Sequence, residues 1–388
     1  MKIVKVVEKT IPLGSAIANS YINFSSMTGS LVAVVTDVYR DGKPIVGYGF
    51  NSIGRYACTS ILRDRMIPKI QNAAPEELYS EDGANIDPFK IHKLLKKNEK
   101  PGGHGDRSHA IGAIDMAVWD TAAKLEDKPL YQLLGERFNG GVWDEKVYTY
   151  GAGGYYYAED SEQRLMAELQ SYVDLGFRDV KMKIGGADLE TDLKRIEAAL
   201  TVVNGDGSRL MVDANGRFDL RQALEYALAM KDYGLKWYEE PLDPLDYASH
   251  AAVAEYYPGA IATGENLFSF QDVRNLLRHG GLRPDRDYIQ VDCPLACGLV
   301  EYLQILQYMA DSGWSRRRCV PHGGNLFCLH IAAGLQLGGN ECYPGVFQPV
   351  GGYADGIPVE NSLVRLPELP GIGFEAKANL WEVLRQVV

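Results

Sequence analysis

Cysteine is scarce and scattered: six residues in 388 (Cys58, Cys293, Cys297, Cys319, Cys328 and Cys342), with no CxxC pair among them. That excludes a disulfide scaffold, and Cys293 and Cys297, four apart, read as packed thiols of a reduced core. No apolar run approaches the ~20 residues needed to cross a bilayer, and the opening MKIVKVVEKTIPLG has no signal-peptide core. A cytoplasmic protein with no membrane role is expected. A basic surplus is missing too. Lys and Arg total 40 against 51 Asp and Glu, a formal charge of −11, which argues against a nucleic-acid partner. No GxGxxG or P-loop follows a predicted strand, so a doubly wound nucleotide-binding sheet is disfavoured.

What is present divides the chain by rhythm. In residues 1–135, alternation in MKIVKVVEKTIPL and SLVAVVTDVYRDGKPIVGYGF predicts an antiparallel meander. Polar loops SAIANSYINFSSMTGS and NSIGRYACTS interrupt it. A helix follows in HAIGAIDMAVWDTAAKLEDK, where Ile111, Ile114, Val118 and Ala122 recur at helical spacing. From residue 136 to 354, short β runs alternate with amphipathic helices: VYTYG, RDVKMKIGG, RLMVDANG, KWYEEP, AIATGEN, DYIQVD and RCVPHGG, with a weak eighth near GGNECYPG. This alternation predicts right-handed crossovers closing into a (β/α)₈-type barrel. The Pro/Gly-rich tail at 355–388 is expected to return to the first module.

The chemistry gathers at the C-terminal ends of the predicted barrel strands, where such folds keep their sites. In order these carry Lys181 and Lys183, Asp213, Glu239, Glu265, Asp292 and His322. Asp213, Glu239 and Glu265 supply three hard oxygen ligands without a Cys or His among them, which suits Mg²⁺ rather than zinc. Lys181 and Lys183 alternate on one strand and so share a face, and two close ammonium groups should lower one pKa toward that of a base. Asp292 beside His322 would fix the imidazole and make it a competent acid.

In this combination the chain resembles the enolase superfamily, in its mandelate-racemase-like branch. The residues that carry the resemblance are AIDMAVWD…KPLYQLLG at 113–135, the KxK of Lys181 and Lys183, and the VDANG, YEEP and TGEN trio. The Asp292–His322 dyad completes it. The resemblance implies an α+β capping domain over an α/β modified TIM barrel, (β/α)₇β, with Mg²⁺ chelating a substrate carboxylate. It implies Lys183 as the base on the second barrel strand, assisted by Lys181. Asp292 stands where the muconate-lactonizing branch has a lysine. It also implies a glutamate on the eighth strand, for which Glu341 is the candidate. Asn215 is expected to contact substrate.

The expected reaction is loss of water from a small hydroxy acid, by α-proton abstraction, an enediolate and departure of the β-hydroxyl protonated by His322. Among acid-sugar dehydratases the likeness is greatest to those acting on D-tartrate, giving oxaloacetate. Two carboxylates then need a distal cation, for which Lys100 and Arg55 are the candidates, and the loops at 15–30 and 51–60 are expected to cover the barrel mouth. A racemase or epimerase would use the same Lys183 and His322, and a non-catalytic binding barrel would need none of the ligands. A homo-oligomer with a small anionic substrate is expected.

Overall fold

The computed structural model describes residues 1–157 and 161–388. Strands β1 (Ile3–Pro12), β2 (Thr28–Arg40) and β3 (Lys43–Phe50) form an antiparallel meander in that order. Between β2 and β3 only Asp41 and Gly42 turn the chain, both at positive φ (52° and 74°). Two left-handed residues match the twist of a tight hairpin, and Asp-Gly adopts them at little cost.

The helix Asp106–Leu125 lies on this sheet. Ile111, Ile114, Val118 and Ala122 are buried as their spacing requires, but burial continues around the helix from Ser108 to Lys124. A helix wet on one side would not show this. Its second side is pressed against the barrel: a Cβ on Gly112 would stand 1.8 Å from the carbonyl oxygen of Pro294. On the sheet side a Cβ on Gly49 would stand 2.3 Å from that of Ala113. Both glycines are there because backbone meets backbone.

The barrel strands are β4 (Lys146–Ala152), β5 (Val180–Lys183), β6 (Leu210–Asp213), β7 (Trp237–Glu239), β8 (Ile261–Thr263) and β9 (Tyr288–Ile289), parallel and in sequence order. An isolated parallel bridge from Ile289 to Cys319 takes the seventh position. Strand β10 (Asn340–Cys342) pairs in parallel with β4 and closes the ring. The crossover helices start where side chains satisfy free N–H groups. Asp188 accepts from the Thr191 N–H, and Asp219 forms a reciprocal box with Gln222. Such caps contribute about 1 kcal/mol each. Apart from Lys181, Lys183 and the carboxylates at their ends, β5 to β8 are largely apolar and buried, as expected for a parallel sheet covered on both faces.

Short strands β11 (Val359–Glu360) and β12 (Leu363–Arg365) follow, and β12 pairs antiparallel with β4. The tail then reaches the first module: Ile372 N–H donates to Asp120, Phe374 packs on Phe50, and Trp381 meets Tyr48 edge-on. Its first part therefore serves the barrel and only its end serves the cap. Among the described residues no helix is long and apolar enough to cross a membrane.

Candidate active site

Register aligns the charged strand ends. Lys183 pairs with Asp213, and Asp213 with Glu239, across β5, β6 and β7. All three are buried at one mouth of the barrel. Glu265, two residues past β8, joins them, and one carboxylate oxygen each from Asp213, Glu239 and Glu265 lies within 4.8 Å of the others. An all-oxygen set this close fits one hard divalent cation with positions left for substrate and water.

The two lysines neutralise part of this cluster. Lys183 Nζ donates to Asp213 Oδ2 at 2.5 Å, while Lys181 Nζ donates to Glu239 and lies 2.7 Å from Glu341 Oε1. The repulsion between the two lysines that the sequence suggests is not the dominant interaction among these residues. Burial does disfavour the charge, and each lysine repels the other, but the carboxylates outweigh both. Asp213 holds the Lys183 pKa above its usual value, and Glu239 with Glu341 holds that of Lys181 well above. Glu239 shows the cost on the other side: burial and the neighbouring Asp213 charge push its carboxyl up to about 8. A cation among the three carboxylates would relieve that repulsion and compete with Lys183 for Asp213.

Asp292 and His322 come together as expected, but not at strand ends. β9 stops at Ile289 and the seventh position is a single bridge at Cys319, so Asp292 and His322 each lie three residues further on. His322 Nδ1 lies 2.8 Å from Asp292 Oδ2, which also accepts from Ser52 Oγ at 2.5 Å. Nε2 lies 2.9 Å from the Tyr343 hydroxyl and 3.6 Å from Glu265. Burial alone would deprotonate this ring. Glu265, Asp292 and Glu341 more than offset it and push the pKa up to about 9, which favours the charged ring.

Several participants are not evident from sequence. Tyr343 bridges His322 to Glu341, donating to Glu341 Oε2 at 2.6 Å. Ser52 reaches Asp292 from the cap, 240 residues away. Trp237 Nε1 and Gln290 Nε2 both donate to Glu239 Oε2, at 2.8 and 2.9 Å. Trp237 and Tyr343 each stand two residues from a strand-end carboxylate, and that same-face spacing was the available signal.

Beside Glu265 opens a cavity of about 1280 Å³, lined by barrel and cap together. Asn19, Tyr21 and Ile22 reach it from the loop at 15–30, and Gly54, Arg55 and Tyr56 from that at 51–60. Ser20 Oγ donates to the Ala214 carbonyl at 3.1 Å, which ties the first loop to the barrel. Asn215 lines the wall, and both its backbone N–H and its side-chain Nδ2 donate to Asp213. Arg55 donates to Asn266 beside Glu265, with its guanidinium over Phe268. Lys100 is exposed at the rim, its carbonyl held by Arg107.

Known proteins share this layout. Residues 22–135 match the mandelate racemase/muconate lactonizing enzyme N-terminal domain, and residues 164–380 match the enolase C-terminal domain-like family. The chain belongs to the mandelate racemase/muconate lactonizing enzyme branch of the enolase superfamily. Relatives in that branch include the arabinonate dehydratase of Saccharolobus solfataricus, 28% identical over 87% of this chain and 86% of the relative. The L-talarate/galactarate dehydratase of Salmonella typhimurium is 31% identical over 77% of this chain and 69% of its own length. Among solved structures, a racemase from Streptomyces coelicolor with bound magnesium matches with a TM-score of 0.78 at 23% identity, covering 99% of this chain and 98% of that one. L-talarate dehydratase from Polaromonas sp., complexed with Mg and L-glucarate, matches at 0.75 with 24% identity, over 97% and 95%. At that identity the structures establish the capped barrel. The sequence relatives place the chain in a family of acid-sugar dehydratases and cycloisomerases.

Proposed function

We propose that this protein is a Mg²⁺-dependent hydro-lyase that removes water from an acid sugar. The observation that carries the reading is the placement of Lys183 and the His322–Asp292 dyad around the Asp213, Glu239 and Glu265 cluster at the barrel mouth. The three carboxylates would hold the ion, which supplies positive charge to a substrate carboxylate. With Asp213 turned to the ion, Lys183 would give up its own proton to solvent, and the neutral Nζ then takes the α-proton. Lys181, buried and held charged by Glu239 and Glu341, stays a cation where negative charge develops on the enediolate. His322 Nε2 delivers its proton to the β-hydroxyl, so that the C–O bond breaks with water leaving, and Asp292 holds the ring through Nδ1. Tyr343 and Glu341 keep Nε2 aimed. The resulting enol becomes a 2-oxo acid by tautomerisation.

D-tartrate, giving oxaloacetate, is the substrate this reading favours, with Arg55 or Lys100 meeting the second carboxylate and Asn215 a hydroxyl. A six-carbon aldaric acid is the second reading, supported by the 31% identity to the L-talarate/galactarate dehydratase. A panel of tetraric, aldonic and hexaric acids incubated with Mg²⁺ and assayed for 2-oxo acid decides between them. Fastest turnover of D-tartrate is expected. Faster turnover of a hexarate selects the second reading, and epimerisation without any 2-oxo acid removes both.

A further inference from the structure

A second group of ligating side chains lies outside the site just described. Cys58 follows the cap loop that carries Arg55, and Asp106 and His109 stand on the first turn of the helix Asp106–Leu125. One ligand atom from each lies within 4.8 Å of the other two. His109 is only 1% exposed, and neither ring nitrogen has a hydrogen-bond partner among the described residues. Such a group is rare, since buried polar atoms are nearly always paired. Its Nδ1 lies 3.6 Å from Asp106 Oδ1, and the ring is fixed edge-on by Phe268 at 4.6 Å. Burial and the nearby Arg55 charge push its pKa down to about 3, so the imidazole is neutral and its lone pair is available. The Cys58 thiol makes only one long contact, 3.7 Å to the Tyr56 carbonyl. The Asp106 side chain is 75% exposed, which leaves a path for an ion and a position for water.

We propose that Cys58, Asp106 and His109 form a second cation site, taking a borderline divalent ion of the Zn²⁺ type and tying the loop at 51–57 to the helix Asp106–Leu125. Sulfur, nitrogen and oxygen donors with one open position are a zinc-type set, whereas the barrel trio offers only hard oxygens. The chain thus sorts two ions by softness. Burial, with Asp106 and Glu8, pushes the thiol up to about 12, so the site loads by releasing that proton to solvent. Arg55 is the opposing charge nearby, and its own partners, Asn266 and Phe268, hold it on the barrel side. The segments so joined carry cations of the cavity wall, Arg55 ahead of Cys58 and Lys100 ahead of Asp106.

Co²⁺ is the probe, added to intact protein already saturated with Mg²⁺. One equivalent per chain should bring in thiolate-to-cobalt charge-transfer absorption, with release of a proton. Cys58→Ser should abolish that absorption, and Asp106→Asn, at an exposed position that the fold does not need, should weaken Co²⁺ binding roughly tenfold or more. Absence of the band in the unmodified protein overturns the proposal. So does a band that persists in Cys58→Ser. Should that variant fail to fold, undiminished affinity in Asp106→Asn overturns it equally.

Discussion

The strand ends of the barrel and the loops of the cap meet around Glu265, which lines the cavity together with those loops, yet they are built on different terms. At the strand ends Lys181, Lys183, Asp213, Glu239 and Glu341 are at most 5% exposed, and each charge touches an opposite one. Their backbones are locked in a hydrogen-bonded ladder. On the cap side Tyr21, Tyr56 and Lys100 are exposed, Arg55 is half-buried, and their backbones run between elements rather than within them. A rigid, fully paired cluster suits chemistry that tolerates little displacement, and adaptable loops suit the choice of substrate. Damage to the first should therefore appear in turnover, and damage to the second in selection.

The largest effect is expected from the metal. Exhaustive chelation should reduce turnover to background and Mg²⁺ should restore it, while Glu239→Gln should not recover at any Mg²⁺ concentration. Full activity after chelation would remove the ion from the reading. Next come Lys183 and His322, the proposed proton carriers, whose loss is expected to cost about 10²–10⁴-fold each in kcat. His322→Asn should stop dehydration yet still let Lys183 exchange the α-proton, so deuterium enters unreacted substrate in D₂O. Lys183→Ala should lose both. Exchange kept without Lys183 and lost without His322 would reverse their roles.

The cap comes third. Arg55→Ala and Lys100→Ala should raise KM by roughly 10–100-fold, the worth of one charge-assisted hydrogen bond, with kcat changed far less. Magnesium affinity measured in the same variants should stay put, and a parallel fall in both would erase the division between rim and cap.

The smallest effect tests why His322 differs from a histidine outside the cluster. His330 is equally buried, but no carboxylate surrounds it: its Nδ1 accepts the Tyr131 N–H, and burial pushes its pKa down to about 3. A depressed histidine is protonated more readily when unfolded. Its contribution is complete above the unfolded value of 6.5 and is lost as pH falls toward 3. Between neutral pH and about pH 5 the unmodified protein should lose about 2 kcal/mol more stability than His330→Gln, read from urea midpoints. Equal losses would mean that burial alone does not set these shifts.

Much of this was legible in the residues. The Lys181–Lys183 alternation, the three carboxylates and the Asp292–His322 pair are each local facts, since a strand presents every second side chain to one face and parallel strands deliver their ends to one mouth. The (β/α) rhythm and the meander were legible for the same reason: periodicity is a property of neighbours along the chain. Glu341 was faint because GGNECYPG makes a strand of three residues, too short for a pattern, and only its pairing with β4 identifies it.

What the tertiary structure alone decided is the partner of each charge. Lys181 meets Glu341 across the closing seam of the barrel, Ser52 crosses from the cap to Asp292, and Cys58 meets His109 across a turn of chain that spacing does not announce. The reasoning about the two lysines missed these partners. Sequence places Lys181 beside Lys183, where repulsion is the visible interaction, while the attractions that outweigh it come from β6, β7 and β10. Coulomb energy depends on distance through space and on the water excluded between charges, and neither is determined until distant segments close around one mouth.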